Sequence, residues 1–128
     1  MHHSAYQSYH SDNLAAQTAQ ASPVQLVLIL TDGLIEELFR ARAHIEAGRY
    51  EQKAHSLDRA LGMLNGLASA LDLDSGSEVV ASLGQLYDYC GQRLYQAGVA
   101  LDVGLIDEVV GLLNTLRSGW EGMQARHG

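Results

Sequence analysis

Apolar residues recur along most of the chain at steps of three and four, the spacing that gathers them on one face of an α-helix. From Val27 the series Leu30, Leu34, Leu38, Ala41 and Ile45 keeps that step, and Leu28, Ile35 and Phe39 form a second stripe beside it. A first helix with two apolar faces is the result. Ser22 followed by Pro23 marks its start, because the hydroxyl can satisfy a free N–H and proline's missing donor costs nothing at the first helical position. Gly48 marks its end, since glycine tolerates the left-handed conformation that often follows a helix. Leu57, Leu61, Leu64, Ala68 and Leu71, spaced four, three, four, three, predict a second helix from about Tyr50 to Leu71 with a heptad-like seam. After Asp72-Leu73-Asp74-Ser75-Gly76, Ser75 and Glu78 have the form of a capping box for a third helix. Val79, Leu83, Leu86 or Tyr87, Cys90, Leu94 and Ala97 carry it to about Gly98. Beyond a short link near Asp102, the stripe Ile106, Val109, Leu113, Leu116, Trp120 and Met123 predicts a fourth helix to the C-terminus.

Helices of roughly 22–25 residues are about 33–38 Å long. Joined by such short links they must fold back on one another, so the pattern predicts an all-α, antiparallel up-down-up-down four-helix bundle over residues 21–126. Residues 1–20 carry Tyr6, Tyr9 and Leu14 among polar residues with no sustained period, and read as a flexible N-terminal arm. No segment alternates at period two for long enough to suggest a sheet.

Composition narrows the function. Eight Lys and Arg against fifteen Asp and Glu give a formal charge of −7, which opposes binding to a phosphate backbone, so no nucleic-acid partner is expected. The excess is concentrated late in the chain: residues 71–128 hold eight acids and three bases. The longest apolar run, Leu26 to Leu30, is far below the ~20 residues of a membrane span, and the polar N-terminus lacks the apolar core of a secretory signal. The expectation is a cytoplasmic protein with no membrane insertion. Cys90 is the single cysteine and lies in an apolar seam, where it reads as an inert core thiol.

Catalytic signatures are missing. Di-metal bundles need Glu-x-x-His on two helices, and neither His44 nor His55 has that context; no metal or other cofactor is expected. No Walker loop, dinucleotide fingerprint or nucleophile elbow occurs. His55-Ser56-Leu57-Asp58-Arg59 superficially matches a phosphohistidine module, which makes a histidine phosphotransfer bundle the alternative reading. Asp58 stands where such a module needs a cation to neutralise the phosphoryl group, and its charge opposes that chemistry. The chain reads as a non-enzymatic bundle whose surface binds something.

Three segments, in order, carry a family resemblance. Ala21-Ser22-Pro23 with Leu26, Leu30 and Asp32-Gly33, then Leu86-Tyr87-Asp88-Tyr89 with Arg93-Leu94 and Gln96-Ala97, then Asp107-Glu108-Val109 with Leu112-Leu113, Leu116-Arg117 and Trp120 resemble the corresponding motifs of the flagellin export chaperones, the flagellar secretion chaperone FliS family. Thr31, Gly91 and Gly98 depart from the family pattern. The resemblance implies an ATP-independent chaperone that binds the disordered C-terminal segment of flagellin in its helix grooves. It would thereby block premature polymerisation and deliver its client to the flagellar export gate, with a co-chaperone or a flagellar regulator as further conceivable partners. It also implies that the N-terminal arm covers the client groove in the free protein, with Tyr6 and Tyr9 as placeholders. Candidate partner-binding residues on the bundle are Leu57, Leu61, Leu64, Tyr87, Tyr89 and Leu94. A leucine and tyrosine stripe at helical spacing is core before it is interface, yet Tyr87 and Tyr89 point about 200° apart and cannot share one core. Tyr89 is the one expected at a groove or surface.

Glycine is the discordant feature. Gly62, Gly66, Gly84, Gly91, Gly111, Gly119 and Gly122 fall inside predicted helices at a summed propensity cost on the order of 6–7 kcal/mol against alanine. Close approach of a client to the helix backbone would account for such a cost.

Overall fold

The computed structural model describes residues 22–127, and the four predicted helices are all present: α1 (Pro23–Glu46), α2 (Tyr50–Ser69), α3 (Glu78–Ala100) and α4 (Val103–His127). Each helix packs on the two beside it in the order α1, α2, α3, α4 and back to α1, while the diagonal pairs make no close backbone contact among the described residues. Short links and cross-helix pairs make every neighbour antiparallel. The assembly is an up-down-up-down four-helix bundle.

Local chemistry sets the helix ends. Ser22 caps α1 through its Oγ, which accepts from the Gln25 backbone N–H, and the Gln25 side chain accepts in return from the Ser22 N–H. At the other end Gly48, with φ +73°, closes a paired cap: its N–H donates to the Ile45 carbonyl and the Arg49 N–H donates to that of His44. The start of α3 differs from expectation. Ser75 lies in a single 3₁₀ turn, Leu73–Ser75, and Gly76 at φ +75° redirects the chain, so Ser77 becomes the cap that accepts from the Val80 N–H. Glu78 is thereby the first helical residue, not the third. Gly98 does not end α3 either; the helix continues to Ala100, and Leu101 itself takes the left-handed conformation at φ 55°. Helix α2 stops at Ser69 rather than Leu71, although Leu71 still packs against the core.

The core runs the length of the bundle. Leu34, Leu38, Leu94, Ile106, Val109 and Leu113 are fully buried, as are the smaller Ala41, Ala60, Ala97 and Cys90. Burying side chains of this size is worth roughly 1.5–3 kcal/mol each and supplies the bulk of the stability. Burial pushes the Cys90 thiol up to about 11, with the Glu108 charge acting in the same direction, so at neutral pH it stays an unreactive thiol. Thr31, where the resemblance expects an aromatic residue, is buried in this core.

Charged pairs fix the register. Asp32, Arg42 and Glu46 in α1 repeat the spacing of Asp107, Arg117 and Glu121 in α4, ten residues and then four. Each arginine therefore meets the aspartate of the opposite helix and the glutamate of its own: Arg42 with Asp107 (2.8 Å) and Glu46, Arg117 with Asp32 and Glu121. The two clamps are related by an approximate two-fold axis across the α1–α4 seam. Between α1 and α2, Glu37 is only 2% exposed and accepts from Arg40 of its own helix and from Arg59 of α2 at 3.0 Å. Burial pushes the Glu37 carboxyl up, but the Arg40 and Arg59 donors outweigh it and hold the carboxyl below the ordinary range.

A carboxyl depressed in the folded state stabilises fully above its unfolded value, near pH 4, and loses that contribution as pH falls through the folded value. Arg42 holds Asp107 low as well, and Tyr89 with Arg93 holds Glu108 low, so all three act in one direction. Thermal unfolding is expected to show a Tm plateau above about pH 5 and a steep loss below about pH 4. Glu37→Gln should lower stability by about 1–3 kcal/mol at pH 7, because two arginines lose their charged acceptor, and should flatten the acid limb. An unchanged acid limb in that variant would show that Glu37 does not carry it.

Candidate functional site

The seam between α2 and α3 is built differently from the other three. Gly91 stands opposite Leu64, whose Cδ2 lies 3.6 Å from the place a Cβ would take, and Gly98 stands opposite Leu57, with Cδ1 only 3.0 Å from such a position. Two glycines on one helix facing two leucines on the other leave the outer part of the seam empty of side chains. The result is a groove made of two hollows. One, of about 490 Å³, is lined by Leu64, Asn65, Ala68, Tyr87, Gly91 and Gln92 among others. The second, of about 230 Å³, is lined by Leu57, Leu61, Leu94, Gly98, Val99 and Lys53 among others. Tyr95, 69% exposed, stands between the hollows and lines both. From Lys53 to Ala68 the groove follows α2 for fifteen steps, about 22 Å at 1.5 Å per residue.

Five of the candidate residues meet here. Leu57, Leu64 and Leu94 are buried with their edges forming the floor, Leu61 is partly exposed beside them, and Tyr87, 3% exposed, belongs to the core with its surface edge on the larger hollow. Burial pushes the Tyr87 phenol up, so it stays neutral. Tyr89 is elsewhere. It is 39% exposed, as the helical geometry requires once Tyr87 is inside, but it faces α4: its hydroxyl donates to Glu108 at 2.8 Å. Arg93 donates to the same carboxylate at 2.8 Å and holds its guanidinium 5.3 Å from the Tyr89 ring centre. Tyr89 is a brace of the α3–α4 seam. Tyr6 and Tyr9 lie outside the described residues.

Sequence reasoning missed Tyr95, Asn65, Gln92 and the pairing of Gly91 and Gly98 with leucines. The signal for Tyr95 was present: it stands four residues after Gly91 and four before Val99, a second α3 stripe beside the core stripe.

A groove with an apolar floor, amide and aromatic edges and no cluster of metal-ligating groups among the described residues is suited to holding an amphipathic peptide. His55 is exposed on α2, and its sequence neighbour Arg59 is held by Glu37, so no arginine there is free for a phosphoryl group. No helix among the described residues is long and apolar enough to cross a membrane.

The comparisons decide the family. Residues 5–127 match the model of the flagellar protein FliS. The chain belongs to the FliS family. It is 35% identical over 119 residues to flagellar secretion chaperone FliSB of Pseudomonas aeruginosa, spanning 93% of this chain and 94% of that protein. It is 36% identical to flagellar secretion chaperone FliS of Salmonella typhimurium, over 92% of this chain and 88% of that one, and 33% identical over 101 residues to that of Bacillus subtilis, over 79% and 74%. As a FliS protein it is a flagellar export chaperone and not an enzyme, and its partner is a secretion substrate.

The glycines of this FliS protein now separate into two groups. A Cβ at Gly62 meets nothing within 4 Å and Gly62 does not line the groove, whereas Gly91 and Gly98 do. Gly62→Ala is expected to raise stability by about 0.8–1 kcal/mol, or a Tm gain of roughly 3–6 °C, by helix propensity alone. Gly91→Ala should gain nearly as much, since its new methyl meets Leu64 at ordinary contact distance. Gly98→Ala should gain least, because Leu57 must yield by a few tenths of an ångström. Thermal unfolding of the three variants tests the order; a Gly98→Ala gain equal to that of Gly62→Ala would contradict the tight contact.

Proposed function

We propose that this FliS protein works in the cytoplasm and holds the C-terminal segment of flagellin in the α2–α3 groove, keeping it from polymerising before delivery to the flagellar export apparatus. The groove itself carries the reading: about 22 Å of groove with leucines in its floor matches four turns of an amphipathic helix, the form a disordered client takes when it folds onto such a surface. Ordering the client costs about 2–5 kcal/mol or more, so the apolar floor and Tyr95 must supply a large share of the contact energy. In this reading Leu57, Leu61, Leu64 and Leu94 are floor, Tyr87 supports the floor from below, and Tyr95 is the aromatic anchor of the kind that dominates interface energies. Tyr89 contributes by keeping α3 in place against α4. The arm, residues 1–20, competes for the same groove through Tyr6 and Tyr9, tethered at high effective concentration but with fewer contacts than a full client.

Titration calorimetry with flagellin from the same cell tests the reading. Binding should vanish when the client's C-terminal segment is deleted and fall by at least tenfold in Tyr95→Glu, a surface change that leaves the core intact. Full binding by the truncated client would overturn it. Deleting residues 1–20 should strengthen or speed client binding, and a weaker complex would show instead that the arm contacts flagellin.

A further inference from the structure

The groove carries information about its occupant beyond apolar fit. Asp58 on the α2 edge lines the smaller hollow, and Asp88 on the α3 edge lines the larger one; both are exposed, and neither has an ion pair or side-chain hydrogen bond among the described residues. Every cation nearby is already engaged. Lys53 donates to the Gly98 carbonyl at 3.0 Å, Arg59 to Glu37, and Arg93 to Glu108 on the far side of α3. The two aspartates are therefore the unbalanced charges of the groove, one on each edge and one toward each end.

Their separation can be read from the packing. Gly98 opposite Leu57 and Gly91 opposite Leu64 show the register of the seam, so Asp88 lies level with Leu67, nine residues beyond Asp58 along α2. Nine residues of helix advance about 13 Å and turn 900°, which is half a revolution beyond two full turns. A helix lying in the groove thus presents residue i to one edge and residue i+9 to the other, with the displacement that separates Asp58 from Asp88. The match holds for either direction of the client helix.

We infer that the groove selects an amphipathic helix bearing a Lys or Arg at i and another at i+9, one paired with Asp58 and one with Asp88, on either side of the apolar stripe that meets the floor. The inference rests on the groove being the client site. Apolar floors accept many amphipathic segments, and two carboxylates at fixed spacing discriminate among them and set the client's register along the groove.

The test uses the full chain, the flagellin C-terminal segment as probe, and calorimetry at low and moderate salt. Asp58→Asn and Asp88→Asn should each weaken binding about threefold and together about tenfold, with the salt dependence shrinking in step. A double variant that binds like the parent, while Tyr95→Glu fails to bind, overturns the charge pairing and leaves the groove reading standing. Parent-like binding by Tyr95→Glu overturns the groove reading and this inference with it. Geometry is tested with two synthetic versions of the client segment that carry their only lysine pair nine or seven residues apart. The nine-residue version should bind at least fivefold tighter at low salt, because a seven-residue pair returns to one edge; equal affinities overturn the register.

Discussion

Three of the four seams in this bundle are crossed by an arginine that reaches a carboxylate on the neighbouring helix: Arg59 to Glu37, Arg42 and Arg117 to Asp107 and Asp32, Arg93 to Glu108. The seam between α2 and α3 has no such pair among the described residues and is closed by packing, with the Lys53 ammonium touching one backbone carbonyl. Exposed ion pairs contribute little to stability, typically under about 1 kcal/mol each. Their effect is on register. The duplicated clamp between α1 and α4 permits one antiparallel alignment, and the buried Glu37 sets the alignment of α1 on α2. With α3 braced to α4 through Glu108, the place of α2 relative to α3 is decided by the rest of the bundle. That seam needs no cross-helix ion pair of its own, and can leave its outer half open.

The use of cations follows from the same arrangement. Of the eight Lys and Arg residues, the seven from Arg40 to Arg117 are held by carboxylates, a carbonyl or, for Arg49, the His44 ring. Acids outnumber them nearly two to one, so the charge left free on the surface is negative. A partner with an acidic surface is repelled, and one with scattered positive charge is attracted. In the proposed reading, apolar contact gives the affinity and the free carboxylates govern which segments can use it.

Helix existence and order were legible in the sequence because the three-and-four spacing reports burial on one element. The start of α1 was legible because Ser22 and Pro23 act within one turn. Ser75 was misleading for an equally local reason: a glycine at positive φ one residue later moved the helix start to Ser77, and capping-box spacing carries no information about that turn. The groove was harder. Periodicity tells which residues share a face of one helix, not which neighbour that face meets, so Leu57, Leu64 and Leu94 read as seam without revealing that their outer edges are open. Tyr89 shows the limit from the other side. Its exposure followed from Tyr87, but its partner Glu108 lies on a different helix, nineteen residues away, and no local pattern joins them.

The glycines complete the argument. Read as a composition, they suggest a bundle loosened throughout for its client; in the structure Gly91 and Gly98 face leucines across the groove, Gly84 packs on Leu71 and Leu73, and Gly33, Gly62, Gly66, Gly111 and Gly119 face open space. The packing offers no reason for those five. At the groove the reason is geometric, because a methyl at Gly98 would force the Leu57 side chain that floors the smaller hollow to shift, and a methyl at Gly91 would add bulk to the lining of the larger hollow. Each glycine costs α3 about 0.8–1 kcal/mol of helix propensity. That cost is borne in the one seam whose register the other three already hold, where it does not compromise the alignment of the bundle. Depth at the groove and rigidity of the scaffold are thus assigned to different helix pairs, which lets a small bundle expose an apolar floor without losing its fold.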